Sequence, residues 1–185
     1  MRKAPCGPST WPPLSGGFGA GRLPDVRVYL GSDHAGFELK AFLARRLTDL
    51  GHDVVDVGPA EFDPDDDYPP FCIETARRVV ADPGSLGVVL GGSGNGEQMA
   101  ANKVPGCRAA LAWNPEIAAL ARQHNDAQVV SIGARMHAEP DVARIVESFL
   151  DTAFSGGQRH VRRIRQLTDF ERTGEAPPIP AHRSP

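Results

Sequence analysis

Cysteine is scarce in this 185-residue chain, which has three, at Cys6, Cys72 and Cys107, with no C-x-x-C pair. An odd, widely spaced set argues against a disulfide framework or a zinc site and favours a reducing, cytoplasmic compartment. The chain also lacks an apolar run near the roughly 20 residues of a membrane span. Its net charge of −3 gives no overall basic field for nucleic acid. These features argue against a membrane or a nucleic acid as the main partner of the chain.

What remains is a globular chain, 41% apolar and long enough for one α/β domain. Residues 1–25 interleave five prolines with glycine and serine and lack the apolar core of a secretory signal. We expect them to be disordered, as either a genuine tail or an upstream start-site artefact. Residues 26–155 form the predicted domain, residues 156–174 a basic helix and residues 175–185 an extended tail.

Short apolar segments alternate with helical patterns along the predicted domain. The predicted strands cover residues 26–31, 53–57, 86–90, 107–112 and 129–133. The predicted helices cover residues 37–50, 71–81, 115–123 and 140–153, with another from residue 97 and a last one over 158–172. This alternation predicts an α/β fold, a Rossmann or flavodoxin-like three-layer sandwich with a five-stranded parallel sheet and an extra C-terminal helix.

The third strand ends in a loop with glycine at four of the six positions 91–96. Such a loop offers backbone N–H groups to an anion or to negative charge that develops during a reaction. Glu97 follows, where a Walker loop would carry lysine, and a dinucleotide fingerprint would instead follow the first strand. Glu97 is therefore either a general base beside an enediolate or a first-turn acid that favours the helix start.

Polar side chains stand next to other predicted strands, at Asp33, His34, His124, Asn125 and Arg135. We expect Asp33, His124 and Arg135 to converge with the glycine loop along one edge of the sheet, where ligands bind in open α/β folds. The plainer alternatives are a helix cap for Asp33 and a solvated side chain for His34.

An acidic loop over residues 61–70 suggests a metal site, but it lacks the alternate-residue spacing of a calcium loop. We therefore interpret it as solvated. Tyr68, within this loop, is a further candidate for the active edge.

The most basic stretch of the chain is the C-terminal helix. Arg159 and Arg163 stand one helical turn apart and can grip one phosphate together. A helix that follows a completed sheet is also free to lie across a neighbouring subunit. A solvated helix and nucleic-acid binding are the alternatives, although no aromatic stacking groups accompany the charge.

Five motifs in order resemble the type B ribose-5-phosphate isomerases, in particular their actinobacterial branch. They are G-S-D-H-A-G-F-E-L-K at 31–40, D-D-D-Y-P at 65–69, G-G-S-G-N-G-E-Q-M-A-A-N-K at 91–103, H-N-D-A-Q at 124–128 and G-A-R-M at 133–136. The resemblance covers about residues 26–180. It implies a homodimer with shared active sites that interconverts ribose 5-phosphate and ribulose 5-phosphate in the pentose phosphate pathway, without a metal or an organic cofactor.

The resemblance also implies residue roles. Glu97 would move a proton between C2 and C1, and His124 would open the furanose ring. Another branch of the family has cysteine at the position of Gly91, so Glu97 would be its substitute from the far side of the loop. The substrate would be bound by Asp33, His34, Gly92, Ser93, Gly94, Asn95, Gly96, Asn125, Arg135, Arg159 and Arg163. Of these, Arg135 would hold phosphate together with Arg159 and Arg163 of the partner chain.

The chemistry agrees with that division, because aldose–ketose isomerisation needs a base, an acid for the ring oxygen and dipoles for an oxyanion. Glu97, His124 and the loop amides supply these three. Ser93 is a candidate proton shuttle between O1 and O2, and a plain turn serine is the alternative. Two other functions stay open: isomerisation of a six-carbon aldose phosphate such as allose 6-phosphate, and a non-catalytic phosphate- or nucleotide-binding module.

Overall fold

Five strands run parallel in one sheet: β1 (Arg27–Ser32), β2 (Asp53–Gly58), β3 (Leu86–Gly91), β4 (Ala109–Leu111) and β5 (Val129–Gly133). Their order across the sheet is β2-β1-β3-β5-β4. The computed structural model describes residues 26–179, so the predictions for residues 1–25 and 180–185 lie outside the described residues. The sheet and its order confirm the predicted parallel α/β fold, with the last two strands exchanged relative to the flavodoxin order.

Six α-helices connect or follow these strands: α1 (Phe37–Asp49), α2 (Tyr68–Ala81), α3 (Asn95–Ala101), α4 (Pro115–Asn125), α5 (Glu139–Leu150) and α6 (Gln158–Thr173). A short 3₁₀ helix, His34–Gly36, precedes α1. Helices α1, α4 and α5 pack on one face of the sheet and α2 and α3 on the other. The result is the predicted three-layer sandwich, with an apolar core on each side of the sheet.

The core explains why these segments form these elements. Every residue of β3 and β5 is buried, as expected for central parallel strands covered by helices on both faces. Leu39, Leu43 and Leu47 recur at helical spacing and are buried against the sheet, which is the amphipathic pattern of a surface helix. On the opposite face, Ala76 and Val79 pack near the buried thiol-bearing Cys72.

Several element boundaries differ from the prediction. Helix α2 begins at Tyr68 rather than residue 71, because proline is tolerated in a first helical turn, where the missing N–H needs no partner. Strand β4 is shorter than predicted and covers Ala109–Leu111. Helix α4 continues through Asn125, so His124 lies in its last turn instead of in a loop.

The last helix, α6, stands apart from the core. None of its residues is buried within the described chain, and Val161, Leu167 and Phe170 expose between 47% and 62% of their surface. Gly106 N–H donates to the Glu171 carboxylate at 2.8 Å and ties the helix to the sheet domain. The domain boundaries at residues 155 and 174 stay a prediction. Among residues 26–179, the structure contains no helix with the length and apolarity to cross a membrane.

Candidate active site

The glycine loop after β3 is fixed to the end of β5. Gly94 has a left-handed backbone, with φ of +83°, and its carbonyl accepts a 2.7 Å hydrogen bond from the buried Ser131 hydroxyl. The carbonyls of Gly91 and Gly92 accept from the amides of Ala134 and Arg135 at 2.7 and 3.2 Å. Because these loop carbonyls are bound by β5 and the residues after it, the loop is held rigidly at the carboxyl edge of the sheet.

Glu97 lies beneath this loop, although it opens a helix. Only 4% of its surface is exposed, and its carboxylate occupies the space beside the Gly91 Cα so closely that a methyl group there would overlap it. Its Oε2 is buried and has no hydrogen-bond partner among residues 26–179. Glu97 thus lies in the first turn of α3, as the plainer alternative has it, but its carboxylate is enclosed.

Burial changes the acidity of this carboxyl group. Desolvation is the largest effect and raises the pKa of Glu97 above its ordinary value, and the negative charge of Asp33 adds to it. The backbone amides of Glu97 and Gly94 oppose the shift. A carboxylate with a raised pKa is a stronger base, which suits proton abstraction near neutral pH.

Asp33 and His34 follow β1, the neighbour of β3 in the sheet. Asp33 is buried, and its Oδ1 accepts from the amides of Ala35 and Gly36 at 2.9 and 3.3 Å. Asp33 thus caps the 3₁₀ helix, as the plainer interpretation predicts. Its negative charge also raises the pKa of Glu97. His34 is half-buried rather than solvated.

His34 is held by a residue that sequence reasoning missed. The Asp66 Oδ1 accepts from the His34 backbone N–H at 2.7 Å and lies 2.9 Å from its Nδ1. The other carboxylates of the acidic loop are exposed, so the solvated interpretation holds for them but is wrong for Asp66. Its place in the D-D-D-Y-P motif was the available signal.

Three further candidates lie at the same edge. The Tyr68 ring packs over Gly96, where an added Cβ would come within 2.7 Å of the phenolic oxygen. The Arg135 guanidinium runs along Gly92, 3.6 Å from the corresponding Cβ position. Ser93 is exposed, and its hydroxyl accepts from the backbone and side-chain amides of Asn95, both at 3.3 Å.

His124 and Asn125 do not join this group, and the expectation of a single edge is wrong for His124. They end α4 directly before β5, and a helix-to-strand connection in a parallel sheet lies at the amino end of the strands. The Asn125 carbonyl accepts from Arg108, which precedes β4, at 2.9 Å. Both residues are exposed at the edge opposite Glu97.

The basic helix α6 begins at this opposite edge. The rings of His124 and His160 stack with centroids 4.3 Å apart and an interplanar angle of 8°. Desolvation and the positive charges of His124, Arg159 and Arg163 lower the pKa of His160. This cationic cluster was expected in part from the arginine spacing, but the stack itself was not.

The candidate residues fall into two groups at opposite edges of the sheet, here called half-sites. The first, at the carboxyl edge, holds Asp33, His34, Tyr68, the glycine loop, Glu97 and Arg135. The second, at the amino edge, holds His124, Asn125, Arg159, His160 and Arg163. Within residues 26–179, no group of three or more His, Cys, Asp or Glu side chains is arranged to hold a metal ion.

The fold and the first half-site define a class: an α/β enzyme with a buried carboxylate under a glycine loop at the carboxyl edge of its parallel sheet. Sequence comparison gives the family. A sequence model described as Ribose/Galactose Isomerase matches residues 28–167, and the chain belongs to this family.

Named relatives agree with this assignment. The chain is 59% identical over 158 residues to the ribose-5-phosphate isomerase B of Mycobacterium tuberculosis (strain CDC 1551 / Oshkosh), covering 85% of this chain and 98% of that protein. It is 34% identical over 145 residues to the Escherichia coli (strain K12) protein of the same name, covering 78% and 96%. The crystal structure of ribose-5-phosphate isomerase B from Mycoplasma genitalium with bound ribulose-5-phosphate matches with a TM-score of 0.77 at 39% identity, covering 80% and 97%.

Proposed function

We propose that this chain interconverts D-ribose 5-phosphate and D-ribulose 5-phosphate through an enediolate. The observation that carries the proposal is the buried Glu97 carboxylate, with its unpartnered Oε2, under a loop of glycine amides. The relatives named above are ribose-5-phosphate isomerases, and one of them holds ribulose-5-phosphate. The reaction belongs to the non-oxidative pentose phosphate pathway, and the buried free thiols of Cys72 and Cys107 suit a reducing cytoplasm.

The isomerisation proceeds in two steps, formation of the enediolate and its reprotonation. Glu97 takes the proton from C2 of the open-chain aldose, and the released electron pair forms the C1–C2 double bond of the enediolate. The amides between Gly92 and Gly96 stabilise the charge on O1. Glu97 then returns its proton to C1, while the O2 proton passes to O1 through Ser93 and leaves a carbonyl at C2.

Binding and ring opening use the other residues. His124 donates a proton to the ring oxygen, and Asp33 and His34 bind the sugar hydroxyl groups, with Tyr68 closing the carboxyl edge. Asn125 holds a further hydroxyl. Cationic side chains bind the phosphate, because guanidinium groups match its oxygens in pairs; they are Arg135, Arg159 and Arg163.

The separation of the half-sites supports a homodimer with shared active sites. Residues at opposite edges of one sheet cannot meet within one chain, whereas a two-fold dimer can bring the amino edge of one copy to the carboxyl edge of the other. The exposed Val161, Leu167 and Phe170 of α6 supply an apolar surface for this contact. We therefore propose that residues 156–174 cross to the partner and that residues 26–155 form the isomerase domain.

The direct test is formation of ribulose 5-phosphate from ribose 5-phosphate by the purified chain. We expect turnover, and kcat/KM for allose 6-phosphate well below that for ribose 5-phosphate. A higher value for the six-carbon sugar would reassign the substrate. Binding of sugar phosphate without any turnover would contradict the isomerase and favour a binding module.

A further inference from the structure

We infer that Asp66 is a positioning residue for His34: one carboxylate oxygen fixes both the main chain and the ring of His34, so that Nε2 is the ring nitrogen left for substrate. This inference rests on the proposed isomerase function. Asp66 lies 32 positions from His34 in the chain, in the loop after β2.

The hydrogen bonds dictate the tautomer of the ring. Asp66 Oδ1 is 2.7 Å from the His34 main-chain nitrogen and 2.9 Å from Nδ1. An ionised carboxylate only accepts, so Nδ1 carries a hydrogen. Nε2 is then an acceptor in the neutral ring and a donor in the cation. A histidine held through one nitrogen in this way presents the other in a defined direction.

The main chain of the segment that carries Asp66 is held in place independently of His34. The buried Lys40 ammonium donates to Asp56 Oδ1 at 2.6 Å and to the Pro59 carbonyl at 2.7 Å. Lys40 therefore ties the end of β2, which leads into the acidic loop, to α1, the helix that follows His34. At the other end of the loop, the Asp66 N–H donates to the Asp63 carbonyl at 3.3 Å.

The charges around the ring favour its cation. The hydrogen bond to Asp66 raises the pKa of His34, the negative charges of Asp33 and Asp66 add to this, and desolvation opposes it. The side chain of Asp66 is only 10% exposed, and its Oδ2 has no hydrogen-bond partner among residues 26–179. A cationic His34 can donate from Nε2 to a sugar or phosphate oxygen of the substrate.

The test compares Asp66→Asn with Asp65→Asn, a matched change at the exposed neighbouring aspartate. NMR titration of the His34 ring measures its pKa directly, and kcat/KM against pH measures the consequence. We expect Asp66→Asn to lower the His34 pKa and to move the alkaline limb of the kcat/KM profile to lower pH. At a fixed pH on that limb, activity falls about tenfold if the His34 pKa drops by one. Asp65→Asn should leave both curves unchanged.

His34→Gln separates positioning from a general structural role. If Asp66 acts through His34, adding Asp66→Asn to His34→Gln changes kcat/KM little further. An unchanged His34 titration in Asp66→Asn, or an equal loss with and without His34, overturns the proposal. If Asp66→Asn does not fold, titration of His34 in the wild-type protein tests the proposal instead. A His34 pKa at or below the ordinary value for histidine overturns the proposal. The titration needs no turnover, so its failure is distinct from failure of the isomerase function.

Discussion

The Glu97 carboxylate fills the space directly over the Gly91 Cα, where any other residue would place its side chain. The two residues are six positions apart in the chain, and the turn of the glycine loop brings them together. Glycine at 91 is therefore a condition for burying the carboxylate at 97. A cysteine at position 91 would place its thiol in the same volume, so a thiol at 91 and the carboxylate of Glu97 exclude each other in space.

This relationship predicts the effect of a small change at position 91. Gly91→Ala forces the Glu97 side chain out of its place, and overpacking of this kind costs about 1–3 kcal/mol. Urea unfolding measures the cost, and kcat should fall with it. Gly92→Ala is the matched control for stability, since an added methyl there meets only ordinary contacts at 3.6–3.8 Å. Equal stability of the two variants would contradict the overlap.

Stability should fall as the pH rises through the pKa of Glu97. Burial raises this pKa in the folded state above its unfolded value, so between the two values the folded state binds more protons. This contribution to the free energy of unfolding is fully present below the pKa that Glu97 has in the unfolded chain. It is lost as the pH rises through the pKa that Glu97 has in the folded protein. In Glu97→Gln this dependence is absent, and the variant should be more stable than the wild type at pH 8.

Urea unfolding of both proteins between pH 4 and pH 8 checks this prediction. The difference between them should shrink toward acid pH, where the wild-type carboxyl is protonated and resembles the amide. A Glu97→Gln variant that is less stable than the wild type at pH 8 would show that the ionised carboxylate has a stabilising partner in the fold.

The buried Lys40 predicts an asymmetry between the two members of its ion pair. Its side chain is 2% exposed, whereas that of Asp56 is 50% exposed. Asp56→Asn leaves a buried ammonium without its counter-charge, but Lys40→Met leaves a carboxylate that can turn toward water. We expect Asp56→Asn to cost at least about 1 kcal/mol more in the free energy of unfolding. Equal costs would show that packing of the lysine stem dominates.

Shared active sites predict that two inactive variants can restore each other. Glu97→Gln and Arg163→Ala affect different half-sites, so a mixed dimer has one intact site. Co-expression with separate tags should recover roughly a quarter of wild-type activity, because half of randomly formed dimers are mixed and each has one working site of two.

The matched control for this experiment is co-expression of Glu97→Gln with Arg135→Ala. These residues lie in the same half-site, so each site of a mixed dimer keeps one defect and activity should stay low. Equal recovery in both pairs, or none in either, would contradict the proposed arrangement across two chains.

Much of the fold was predictable because short stretches of the sequence determine where its strands and helices form. Apolar runs and helical spacing placed all five strands, and the glycine loop with Glu97 marked the carboxyl edge. The exchanged positions of β4 and β5 depend on long-range pairing, which leaves no local pattern. His124 was assigned to the wrong edge because closeness to a strand in the sequence does not show at which end of the strand a residue lies. The contact of Asp66 with His34 was not predicted because the two residues are distant in the chain.

The most direct test of the account is the steady-state kinetics of Glu97→Gln in D₂O. Glu116→Gln, an exposed first-turn glutamate of α4, is the control. If Glu97 is the base, kcat falls about a thousandfold while KM changes little, and exchange of the substrate C–H for deuterium stops with it. Glu116→Gln keeps wild-type values. Turnover and deuterium exchange near wild-type rates in Glu97→Gln would contradict the account.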